Sequence, residues 1–98
     1  MIESGTFVVV TTDMNRRGVF GGELVSNDGN GNVTLKDARM CVYWDVKTRG
    51  VVGLASKGPQ SGCRITGAVP TIELDGVAAV MQATDEAKSA WESEPWAS

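Results

Sequence analysis

GGELVSNDGNGNVTLKDARM, residues 21–40, is the stretch on which the fold of this chain turns. It holds three Asn, two Asp and four Gly between two apolar runs. NDGNGN, residues 27–32, is dense in side chains that tolerate positive φ, so it predicts a tight turn. VTLKD, residues 33–37, alternates apolar and polar residues as a half-buried strand does. On the other side of the turn, GVFGGELVS (18–26) reads as a strand, and its paired Gly21 and Gly22 predict a sharp bend or a bulge. Further upstream, TFVVVTT (6–12) is β-branched and aromatic, hence another strand, and DMNRRG (13–18) has the punctuation of a turn. The first two strands are expected to form a hairpin.

Working towards the C-terminus, DARM (37–40) reads as a short corner and CVYWDVK (41–47) as a further strand, which places four strands before residue 48. GVVGLAS (50–56) is either one or two helical turns or a short buried strand, and GPQSG (58–62) is a loop in both cases. TIELDGVAAVMQA (71–83) returns to strand character with a turn signal at Asp75-Gly76. From Thr84 the pattern changes. Thr84 can cap a helix, Asp85 and Glu86 complement its positive end, Ala87, Ala90 and Trp91 share one face, and Pro95 closes it. The expectation is a mainly β domain spanning residues 1–98: a small barrel or sandwich of five or six strands over about 5–83, and a short helix over about 84–94.

Composition narrows the chemistry. Residues 1–50 carry six basic and six acidic side chains, whereas 51–98 carry three and six, so the excess negative charge lies C-terminally. General binding to a phosphate backbone is disfavoured, because it needs many phosphates neutralised; a local basic rim is still compatible. Histidine is absent. The commonest general base and the commonest zinc ligand are therefore missing, and the sequence offers no metal set, no cofactor motif and no catalytic residues. Cys41 and Cys63 lack metal-ligand spacing and read as two reduced, partly buried thiols, with a disulfide as the alternative. MIESGTF has neither a charged n-region nor a long apolar h-region, and no apolar run approaches the roughly 20 residues that span a bilayer. A soluble protein without an export signal is expected.

The order Gly22, Leu24, Asp28, Asn32, Leu35, Asp37, Ala38 resembles the first motif of Sm-like proteins, in which a bent strand leads through an Asp-containing loop to an Asn and an apolar strand. This resemblance covers residues 6–40 and implies an Sm-like, or otherwise SH3-like, barrel. Two stretches compete for the Arg-Gly end of the second motif, Thr48-Arg49-Gly50 and Cys63-Arg64-Ile65. Nearly the whole chain also resembles a family of small phage and prophage proteins, through GTFVVVTT, LKDARMCVYW, GLASKGP, AVPTIEL and the terminal AWESEPW. That second resemblance implies a phage origin and expression in the cytoplasm of a bacterial host.

The Sm-like resemblance implies ligand-binding roles for Asp28 and Asn32, with Arg49 or Arg64 as a third member: the amide reads a base edge and the carboxylate orients the amide. An Asx turn accounts for Asp28 equally simply. Arg39, Tyr43, Trp44, Lys47 and Arg49 form a second cluster, in which strand alternation exposes one aromatic ring that could stack a base beside an arginine. The alternative is core packing for Trp44 and pairing of Arg39 and Arg49 with Asp37 and Asp45. SKGPQSG (56–62) offers backbone amides and Lys57 to an anion, without Walker spacing. Trp96 would be buried only against a partner. These readings together predict a non-enzymatic, ring-like homo-oligomer that captures a nucleotide or short RNA and counters a host defence. An inhibitor that binds a host protein directly and a phage assembly component are the alternatives. No membrane partner is expected.

Overall fold

Six strands and two helices arise from these patterns in the computed structural model, which describes residues 2–13 and 18–93. The strands are β1 (Phe7–Thr12), β2 (Val19–Asn27), β3 (Val33–Tyr43), β4 (Arg64–Ile65), β5 (Val69–Leu74) and β6 (Val77–Gln82). A 3-10 turn (Val46–Thr48) leads into helix α1 (Gly50–Ser56), and helix α2 (Asp85–Ser93) follows β6. All pairings are antiparallel: β1 lies between β2 and β6, β3 lies beside β2, and β5 and the short β4 pair with successive parts of β3. β5 and β6 stand at opposite edges of this order, yet only Asp75 and Gly76 separate them in sequence. A link that short reaches about 11 Å, so the sheet must roll until its edges approach. Near this link the Val77 amide donates to the Gly31 carbonyl at 3.1 Å, tying β6 to the β2–β3 turn, and the Asp13 amide, donating to the Gly76 carbonyl at 2.7 Å, extends the β1–β6 ladder. The result is a small, barrel-like open sheet, as the sequence predicts.

Rolling gives β1 two different faces. Val8 and Val10 point inward with Leu24, Val33, Leu35 and Ala38, while Phe7 and Val9 point outward into a second cluster with Leu54, Ile65 and Trp91. This double burial explains the uninterrupted FVVV run, because an ordinary half-exposed strand would alternate. Both helices cover the outer cluster. Thr84 caps α2: its hydroxyl accepts from the Ala87 amide at 3.0 Å and donates to the Ser56 carbonyl at 2.6 Å, which ties the two helices together. Trp91 is fully buried, its indole N–H donating to the Leu54 carbonyl at 3.0 Å.

Three strands, not four, precede residue 48. DARM is no corner, and β3 runs unbroken through it. Asp37, at φ 51°, forms a bulge opposite Gly22, which lets the strand bend without losing its partner. A Cβ on Gly22 would sit 3.1 Å from Ala38 Cα and from the Lys36 carbonyl oxygen, so the glycine is what admits the bulge. The neighbouring Gly21 has a separate role, because the Trp91 ring lies directly on it. The expected strand over 41–47 ends at Tyr43. There the Asp45 carboxylate accepts from the Lys47 amide at 3.0 Å and starts the 3-10 turn. GVVGLAS resolves as helix α1, with Gly53 packed so tightly on the Thr48 carbonyl that any side chain would collide. Pro95 and Trp96 lie outside the described residues.

Candidate functional site

The NDGNGN turn closes on itself. Asp28 Oδ1 accepts from the Asn30 and Asn32 amides at 2.7 and 3.1 Å, and Oδ2 accepts from Asn32 Nδ2 at 2.7 Å. The Asn32 amide group, the Asn30 N–H and the Asn32 N–H hold the exposed Asp28 carboxyl below the usual carboxylate range. Asp28 is therefore an Asx-turn residue, as the simpler reading expected, and it also fixes the orientation of the Asn32 amide. Both residues border an open depression of about 400 Å³ between the turn and β5, with Thr34, Glu73 and Asp75 on its walls. None of the candidate arginines lines it.

Tyr43 and Arg64 are direct cross-strand partners at the end of β3, and both are exposed, Tyr43 by 52%. Trp44 is partly buried against the outer cluster, which leaves Tyr43 as the exposed ring of this cluster; strand alternation does not select it, because the adjacent Val42 is exposed as well and β3 ends at Tyr43. Arg39 is partly buried, and its Nη1 reaches the Thr66 carbonyl at 3.4 Å. The β3–β4 ladder thus brings together an exposed ring and an exposed guanidinium, with Arg39 engaged further back on the same strand.

Arg49 belongs to a different place. It ends the 3-10 turn and precedes α1 with φ 67° and ψ 40°, a left-handed conformation rare outside glycine, and its amide donates to the Val46 carbonyl at 3.2 Å. Beside it opens a cavity of about 490 Å³ lined by Lys47, Thr48, Arg49, Ser56, Lys57 and Gln60. The sequence puts Lys47 and Lys57 in two separate clusters, and only the 3-10 turn and α1 bring them to one cavity. Lys57, in the SKGPQSG loop, is the one of these two lysines that the sequence reading set beside an anion.

The thiols behave as structural residues. Cys41 and Cys63 are free and buried, and Thr48 Oγ1 shares a hydrogen bond with Cys63 Sγ at 3.1 Å. Desolvation, with a smaller contribution from Cys63, pushes the Cys41 thiol up to about 12. Among the described residues no cluster of three or more Asp, Glu or Cys is arranged to hold a metal ion. No helix among them is long and apolar enough to cross a membrane.

A rolled antiparallel sheet with helices packed on its outer face defines this as a small mainly β domain. Residues 5–91 match the family described as Domain of unknown function (DUF6948), and the chain belongs to that family. No curated protein and no solved structure matches it.

Proposed function

We propose that the chain is a non-enzymatic, phage-encoded homo-oligomer, ring-like in form, that captures a nucleotide or short RNA in the cytoplasm of a bacterial host, in opposition to a host defence. The Tyr43–Arg64 pair carries this reading. An exposed ring stacks a base of any kind, and a guanidinium directly across the ladder pairs with its phosphate. The Asn32 amide, oriented by Asp28, adds a site for a base edge on the far side of the barrel, which a neighbouring protomer can bring towards the pair. The absence of histidine and the protonated state of Cys41 favour binding over catalysis. The phage assignment rests on the sequence resemblance, and oligomerisation on the sheet edges that β5 and β6 leave open among the described residues. Exposed Val42, Val46 and Val52 favour a second reading, direct binding of a host protein.

Fluorescence anisotropy with labelled short RNAs tests the lead reading. Base stacking on one ring is worth about 1–3 kcal/mol, so Tyr43→Ala is expected to weaken RNA binding by about 5- to 150-fold with an unchanged thermal midpoint. Arg64→Gln should weaken it as well and flatten its salt dependence. Equal affinity in wild type and both variants would remove these residues from the site.

A further inference from the structure

The cavity between the 3-10 turn and α1 goes beyond that reading. We propose that it is an anion site for a diphosphate group, held by Lys47, Arg49 and Lys57. Three cationic residues from three positions line one concavity in a chain of net charge −3, and among the described residues no carboxylate lines it. Such a concentration of like charge is unfavourable without a counter-charge, and an anion of two or three charges supplies one. The cavity, about 490 Å³, is of the size that takes small ligands. A guanidinium forks onto two phosphate oxygens while the two ammonium groups act as point charges around them, which matches a diphosphate better than a single carboxylate.

The backbone supplies an independent observation. Arg49 occupies a left-handed conformation, φ 67°, immediately before Gly50 at φ 74°, so a residue with a side chain stands where glycine would be relaxed. Strain of this kind at a non-glycine residue collects at ligand-binding positions. The turn is held just before Arg49: the Asp45 carboxylate accepts from the Lys47 amide at 3.0 Å, and buried Thr48 shares a hydrogen bond with Cys63 at 3.1 Å. Lys47 Nζ is steadied by Ser61 Oγ at 3.3 Å, and Ser56 adds a hydroxyl to the wall. The site shares no residue with the Tyr43–Arg64 pair.

Calorimetric titration of the full chain with sodium pyrophosphate at low salt tests the proposal, with amide chemical shifts as a second readout. Arg49→Gly relaxes the backbone and removes the guanidinium, so the fold is retained while binding is weakened. Saturable pyrophosphate binding is expected, with shifts concentrated over residues 47–60 and affinity about ten-fold lower in both Arg49→Gly and Lys57→Gln, in keeping with one charge-assisted contact each. Tyr43→Ala should leave it unchanged, so failure here and failure of RNA binding are separate results. Tighter binding of ADP than of pyrophosphate would assign the site to a nucleoside diphosphate, and equal binding to the inorganic anion. No saturable binding, sulfate binding as tightly as pyrophosphate, or full affinity in both variants would overturn the proposal.

Discussion

Asp28 uses both carboxylate oxygens inside its own turn, and this gives the residue a measurable signature. Asn32→Ala removes the strongest of the interactions that lower its pKa, so the carboxyl should move up towards 3.8 in a carbon-detected NMR titration. Because the folded value lies below the unfolded one, the turn gains from the charged form above pH 3.8 and loses that gain as pH falls through the folded value. Cys41 has the opposite dependence. Its thiol stays protonated to about pH 12 in the fold, whereas the unfolded chain ionises near 9.0, so stability is full below pH 9 and falls as pH rises between the two. The slope approaches about 1.4 kcal/mol per pH unit, readable from urea midpoints. Correspondingly, thiol reagents at neutral pH should label neither Cys41 nor Cys63 until denaturant is added. Asn, Asp and Gly at 27–32 announced the turn plainly. That its polar atoms satisfy one another could be learned only from their positions.

The elements were legible wherever local chemistry decides. Thr84 followed by two acids marks a helix start because its hydroxyl meets an orphan amide, and α2 begins there. DARM misled because a corner and a bulge draw on the same residues. Pairing of β3 with β2 and β5 on both sides outweighs the local break signal, so the strand continues through Asp37. GVVGLAS was ambiguous for a related reason: a short apolar run suits a helix or a buried strand, and its contacts with α2 and the 3-10 turn choose the helix. The two glycines at 21 and 22 look alike in sequence and do different things. Gly21→Ala would put a Cβ 2.8 Å from the Trp91 ring and is expected to cost about 1–3 kcal/mol in chemical denaturation, with a shifted tryptophan emission.

At the scale of the molecule, the rolled sheet leaves the outer edges of β5 and β6 open among the described residues, and an open strand edge is a surface on which the proposed pairing with further copies can be tested. Native mass spectrometry at micromolar concentration should show a closed oligomer, and a monomer under all conditions would remove the ring from the proposed function. The first two strands, the turn at 27–32 and the capped C-terminal helix were legible in the sequence alone, since each depends on residues close together in the chain, and the lack of histidine is a fact of composition. The candidate residues divided differently. Tyr43 and Arg64 lie far apart in sequence, and only the register of β3 against β4 pairs them. Lys47, Arg49 and Lys57 meet because a left-handed residue turns the chain between a 3-10 turn and a helix. Tertiary structure decided these groupings because a shared cavity depends on how distant segments pack, and local spacing carries no record of that packing.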